Sequence, residues 1–167
     1  TPSIIDILSL ESIVNTIYKH FKLSKNFEFT LEANPDDITI EKLSSWASLG
    51  CNRVSLGIQS FRDQDLKYMN RSHDSKQAIK SVRLLKKSNI QNFNIDLIYG
   101  YPILDNISWA NNLEKAIQLE SPHIACYCLT VEKETPLYFF IKSQKYQKLN
   151  SKTGQSQFLI ARNNLIK

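Results

Sequence analysis

The sequence predicts an α/β fold in which parallel strands, joined by helical crossovers, form a wide or incomplete barrel. Three observations carry this expectation. Short stretches with two-residue alternation are each followed by apolar residues at helical spacing, roughly one pair per thirty-odd residues, the length of a βα unit. Each strand-like stretch has one apolar and one polar face, whereas a closed eight-stranded barrel fills its lumen with Val, Ile and Leu. The polar faces end in Glu32, Gln59 and Asp96, each near the C-terminal end of its strand, where βα proteins carry their sites.

The elements follow in order. Ile13, Val14, Ile17, Tyr18 and Phe21 form a helical stripe, and FEFTLEA, Phe27 to Ala33, follows as a strand. After the turn residues Asn34 to Asp37, Thr39 caps a helix with Leu43, Trp46 and Ala47 inward, which Gly50 ends. RVSLGIQ, Arg53 to Gln59, is the second strand. A short helix spans the region of Arg62 to Met69. The next opens on a capping box, Asp74 with Gln77, and carries Ala78, Val82 and Leu85 on its stripe. NFNIDLIYGYP holds the third strand. It is followed by a helix with Trp109, Leu113, Ala116 and Ile117 inward, then by HIACYCLTVE, His123 to Glu132, as the fourth. The region from Ser143 to Gln157 reads as the most loop-like stretch, before the apolar helical pattern FLIARNNLIK.

Splitting the strands by their two-residue period sharpens the third observation. Phe27, Phe29, Leu31 and Ala33 oppose Glu28, Thr30 and Glu32; Val54, Leu56 and Ile58 oppose Arg53, Ser55, Gly57 and Gln59; Phe93, Ile95 and Leu97 oppose Asn94 and Asp96. Asp96 thus faces a cavity and belongs to a set that suits a polar ligand. The alternative is that these groups pair with one another, Arg53 with Glu28 for example, and satisfy buried polarity alone. Gly57 inside a strand permits close approach of a ligand to the backbone.

At 167 residues, 42% hydrophobic and 22% charged, the chain has the composition of one globular domain. Its formal net charge of +5 is spread over helical faces at Lys76, Lys80, Arg83, Lys86 and Lys87, a solvated surface rather than a nucleic-acid footprint. No apolar run has the length of a membrane span, and TPSIIDILSLES lacks a basic leader region, so a cytoplasmic protein is expected. Cys51, Cys126 and Cys128 form neither a disulfide framework nor a C-x-x-C pair, and the last two, sharing a strand face, read as small buried residues. His73 and His123 lack metal-ligand spacing and read as structural or exposed. Met69 is the only methionine, which suggests an excised piece of a longer protein.

In this order, TPS, LEANPDD, NRVSLGIQSF, YMNRSH, FNIDLIYGYP and LTVEKETPLY resemble the oxygen-independent coproporphyrinogen III oxidase-like branch of the radical S-adenosylmethionine superfamily. GIQSF and TPLY look more like its haem-chaperone group than like the true oxidase. The resemblance implies a partial (β/α)6 barrel with parallel strands, truncated at both ends, of which residues 1–167 are a core fragment. S-adenosylmethionine would lie across the C-terminal strand ends. Glu32 and Arg71 would engage its methionine part, Gln59 would touch the ligand, and Asp96 would hold the ribose hydroxyls. Thr1 would end a glycine-rich turn against the amino group, and Thr130 would give a backbone contact. Arg71 enters through the resemblance alone.

The family's C-x-x-x-C-x-x-C motif for a [4Fe-4S] cluster is absent from this sequence, so the resemblance implies that the cluster belongs to the parent and that the fragment alone is inactive. The implied partners are porphyrin or haem and haem-acceptor proteins, with no nucleic acid. The implied activity is haem delivery or oxidative decarboxylation of coproporphyrinogen III. The alternatives are a non-catalytic haem-binding protein and a barrel hydrolase using Glu32 and Asp96 as acid and base.

Overall fold

Side-chain oxygens mark where most of the helices begin. The Asp6, Thr39, Asp105, Thr135 and Asn150 side chains accept backbone N–H groups of Ser9, Lys42, Ser108, Tyr138 and Lys152, and Asp74 forms the expected reciprocal box with Gln77. The computed structural model describes residues 1–166. In chain order its elements are α1 (Ile7–His20), β1 (Thr30–Ala33), α2 (Ile40–Ser48), β2 (Arg53–Gln59), α3 (Asp63–Tyr68), α4 (Ser75–Lys87), β3 (Phe93–Tyr99), α5 (Asn106–Gln118), β4 (His123–Cys128), α6 (Pro136–Lys142) and α7 (Ser151–Leu165).

The four strands form one parallel sheet in the order β1-β2-β3-β4, a partial barrel. Glu32 lies level with Ser55, Ser55 with Asn94, and Asp96 with Ala125. The face carrying Leu31, Val54, Leu56, Ile58, Phe93, Ile95 and Leu97 is buried against Leu43 and Trp46 of α2, Val82 and Leu85 of α4, and Trp109 and Leu113 of α5. Each such aliphatic side chain stabilises the fold by about 1.5–3 kcal/mol. The helices cover this face alone, which leaves the other face to polar residues.

Several expectations change. The strand expected from Phe27 begins at Thr30. Before it, the Asn52 side chain replaces a ladder, accepting from Phe29 N at 2.9 Å and donating to Phe27 O at 2.8 Å. The strand expected to run to Glu132 ends at Cys128: one more bond, Leu129 N to Tyr99 O at 2.7 Å, closes the pairing where β3 ends and Gly100, at φ 86, turns the chain away. The loop-like stretch already contains the start of α7, where Gly154 lets the helix pass close to Cys128: a Cβ there would lie 3.2 Å from its sulfur. The short helix α6 was not expected. Cys128 is exposed rather than buried. Of the first stripe only Val14 is in the core; Ile13, Ile17, Tyr18 and Phe21 are exposed, as is Ile117 on α5, since neither helix is covered on that side among the described residues.

Candidate functional site

The polar face of the sheet divides into two layers. In the lower layer Arg53 donates to Asn94 Oδ1 at 2.6 Å and to Thr30 Oγ1 at 3.3 Å. It also lies 3.5 Å from the Glu28 carboxylate and 3.3 Å from His123 Nδ1. Here the pairing alternative holds, including its example of Arg53 with Glu28, and the polarity satisfies itself.

The upper layer is different. Thr1, Glu32, Gln59, Arg71 and Asp96 line one cavity of about 310 Å³ at the C-terminal ends of β1 to β3, completed by Asn34, Ser55, Gly57 and Tyr127. Asp96 accepts from Asn94 Nδ2 at 2.8 Å and from Ser55 Oγ at 3.2 Å, so both oxygens are oriented and both keep a lone pair for a ligand. Burial raises its pKa, a push that these two hydrogen bonds oppose and the charge of Glu32 reinforces. Among the described residues the Glu32 carboxylate has no hydrogen-bond or ion-pair partner. Thr130 is not brought to this cavity; it lines a neighbouring one of about 800 Å³ with Tyr99, Cys128 and Phe158.

Arg71 reaches the site by a turn that its position in the sequence does not reveal. Helix α3 ends with Asn70 in the left-handed region at φ 53, and Arg71 N closes on Leu66 O at 2.9 Å, folding the chain back over the end of β2. Through Nη2 the guanidinium then donates to Asn34 Oδ1 at 3.1 Å and to Gly57 O at 3.3 Å. Burial lowers its pKa, and Asp36 offsets part of this. Nε and Nη1 have no partner among the described residues, so the guanidinium still offers N–H groups to an anion.

Gly57 makes room for this arrangement. A Cβ at Gly57 would lie 2.9 Å from Gln59 Nε2 and 3.2 Å from Arg71 Nη2. Close approach was expected for a ligand; the protein's own side chains also use the space. Gln59 has φ 65, and Ser60 N donates to Ile58 O across it at 2.8 Å, the rare positive-φ form of γ-turn. Sequence reasoning missed Asn34 and Tyr127. Asn34 directly follows the strand of Glu32, and the two-residue period puts Tyr127 on the face of His123 and Ala125.

The geometry fits the charged and diol parts of S-adenosylmethionine: a guanidinium with free N–H groups, an unpaired carboxylate, and a second carboxylate oriented to accept. It does not fit an iron–sulfur cluster. Cys51 is buried at the N-terminal end of the sheet, opposite the cavity, and Cys126, half-buried with its thiol pushed up to about 11, sits with Cys128 on β4. Among the described residues no three or more His, Cys, Asp or Glu side chains come together as metal ligands.

Fold and site together define a class, a parallel βα partial barrel with its ligand site at the C-terminal strand ends. The chain belongs to the Radical SAM superfamily, whose pattern matches residues 3–115. The family uses S-adenosylmethionine and a [4Fe-4S] cluster. The chain is 38% identical over 135 residues to the heme chaperone HemW of Haemophilus influenzae, covering 81% of this chain and 35% of that protein. It is 30% identical to HemW of Escherichia coli over 135 residues, 81% of this chain and 36% of that one. In fold it matches the coproporphyrinogen III oxidase HemN of Escherichia coli with a TM-score of 0.78 at 20% identity, over 99% of this chain and 37% of HemN. It also matches Elp3 of Methanocaldococcus infernus with a TM-score of 0.78 at 18% identity, over 95% of this chain and 42% of that one. The chain spans about a third of the length of the curated relatives it matches. Among the described residues no helix is long and apolar enough to cross a membrane.

Proposed function

We propose that this chain is the central part of a longer radical SAM protein of haem or porphyrin metabolism, in the haem-chaperone group, and that it holds most of the nucleoside and methionine site. The observation that supports this reading is that Glu32 and two nitrogens of Arg71 stay unpaired among the described residues in the upper layer, above a lower layer whose polar groups pair with one another. Arg71 presents Nε and Nη1 to the methionine carboxylate, Glu32 accepts from the ammonium, and Asp96, held by Ser55 and Asn94, accepts from the ribose hydroxyls. Gln59 and Thr1 complete the wall of the same cavity. When bound, S-adenosylmethionine and the family's cluster supply the radical chemistry, and this chain's residues supply orientation. The cluster ligands come from sequence outside this chain.

The similarity to heme chaperones supports haem as cargo, passed to a haem-acceptor protein, over oxidative decarboxylation of coproporphyrinogen III. Family membership lends no support to Glu32 and Asp96 as a hydrolase pair. The test is calorimetric binding of S-adenosylmethionine to the full-length protein reconstituted without oxygen, wild type against Asp96→Ala, with iron and sulfide measured on the same samples. We expect affinity to fall about tenfold or more in the variant with iron unchanged. Absence of binding in the wild type overturns the reading.

A further inference from the structure

His73 has no part in the cavity wall, yet it is only 3% exposed and lies in the loop that delivers Arg71. Its Nε2 is 3.0 Å from the carbonyl of Ile58, so in the neutral ring that nitrogen carries the proton and donates. The same carbonyl accepts Ser60 N across the γ-turn at Gln59. His73 Nδ1 has no hydrogen-bond partner and lies 3.6 Å from Asp36 Oδ1. Asp36 in turn accepts a hydrogen bond from Ser72. The three successive residues therefore point to three places: Arg71 into the cavity, Ser72 to the turn after β1, and His73 to the end of β2.

We infer that His73 is a positioning residue that fastens the Arg71 loop to the strained turn of Gln59 and so sets two ligand-facing side chains at once. A positive φ at a non-glycine residue persists only where its surroundings impose it, and the Ile58 carbonyl, held by two donors, is such a restraint. The loop's two ends are fixed, by Arg71 N on Leu66 O at 2.9 Å and by Ser75 N on Asp63 Oδ1 at 2.7 Å, but its side chains are held more lightly. Arg71 makes its two hydrogen bonds through one nitrogen, and Ser72 reaches only an exposed carboxylate edge. Without the His73 bond, the guanidinium keeps its charge but loses its fixed place above Gly57. This inference rests on the S-adenosylmethionine reading, since it assigns Arg71 to the amino-acid part of that ligand.

The experiment uses the full-length protein as wild type, H73F and H73Q, and two ligands: S-adenosylmethionine, and methylthioadenosine, which keeps the nucleoside but lacks the amino acid. We expect H73F to weaken S-adenosylmethionine binding by about tenfold or more, through loss of the interaction with a placed charge, and to leave methylthioadenosine within about twofold, because the Asp96 layer is untouched. H73Q, whose amide can donate to the Ile58 carbonyl, should recover most of the loss. Unchanged S-adenosylmethionine affinity in H73F, or an equal loss for both ligands, overturns the inference alone. A wild type that binds no S-adenosylmethionine overturns the underlying reading and the inference with it. If H73F does not fold, histidine nitrogen spectra of the wild type decide the question. A neutral ring protonated at Nε2 supports the fastening role, and one protonated at Nδ1 or at both nitrogens near neutral pH overturns it.

Discussion

Gly57→Ala tests binding apart from folding. The added Cβ would lie 2.9 Å from Gln59 Nε2 and 3.2 Å from Arg71 Nη2, both ends of flexible side chains. The nearest backbone atom, Ala33 O, is at an ordinary 3.6 Å. The strand itself therefore accepts alanine, and replacing a strand glycine gains roughly 0.5–1 kcal/mol of backbone entropy. Against this, Arg71 gives up its hydrogen bonds to Gly57 O and Asn34 Oδ1, about 1 kcal/mol in a half-exposed setting where water substitutes. The two contributions nearly cancel, so the melting temperature should move by no more than about 4 °C. Binding has no such compensation. Loss of a charge-assisted contact to the ligand is worth about 1.5–3 kcal/mol, a fall in S-adenosylmethionine affinity of about ten- to a hundredfold. Thermal melting and calorimetry on the full-length protein measure both quantities. An affinity within about threefold of wild type would show that Arg71 and Gln59 need not occupy the space above Gly57. A drop in melting temperature beyond about 4 °C would show that the added methyl disturbs the strand itself.

Other perturbations test the neighbouring layers. Because burial raises the Asp96 pKa in the fold, its contribution to stability is present below the unfolded value of 3.8 and lost as pH rises through the folded one, leaving the ionised group a burden at neutral pH. Asp96→Asn should accordingly melt no lower than wild type near neutral pH while binding S-adenosylmethionine more weakly; a marked loss of stability would contradict this. His73 has the opposite sign. Burial depresses its pKa against the hydrogen bond to Ile58 O and the charges of Asp36 and Asp74, and Arg71 adds to the depression. Its stabilising contribution is therefore full above the unfolded value of 6.5 and is lost as pH falls from there through the folded value. Urea midpoints should show the wild type's advantage over H73Q shrinking below about pH 6.5, and a constant gap would refute the neutral buried ring. Gln157, fully buried, accepts from Gly100 N and donates to Leu104 O, both at 2.8 Å, tying α7 to the end of β3. Gln157→Leu strands both backbone groups and should cost about 2–5 kcal/mol by denaturant titration; a loss under about 1 kcal/mol would mean that α7 is held mainly by other contacts.

What could be read from the chain depended on whether a signal was local. The strands from Arg53 and from Phe93 are legible because helices cover one face only, so alternation survives where a doubly covered parallel sheet would erase it. The true start of β1 is not, because the Asn52 side chain, twenty-three positions from Phe29, decides where the ladder begins. Helix α7 opens on polar residues and contains Gly154, whose purpose, passing the Cys128 sulfur, exists only in three dimensions. The site divides in the same way. Glu32, Gln59 and Asp96 can be found because a polar residue on a strand breaks an expected pattern locally. Arg71 cannot, because its place depends on Asn70 at positive φ, on the missing Cβ of Gly57 and on a histidine two residues later bonding to another strand.

The contrast between the two layers argues for a ligand more strongly than any single residue does. Both layers lie on the same face of the same strands, so backbone geometry alone does not account for their difference. In the lower one a single arginine engages Glu28, Thr30, Asn94 and His123. Two residues further along, Glu32 has no partner, although Arg71 lines the same cavity and makes both its hydrogen bonds to neutral carbonyl oxygens. Direct pairing of Glu32 with Arg71 would have removed the unpaired charge. Glu32 is exposed and solvated, so leaving it unpaired is cheap, and both groups stay available to something carrying both an ammonium and a carboxylate; an α-amino acid moiety carries both.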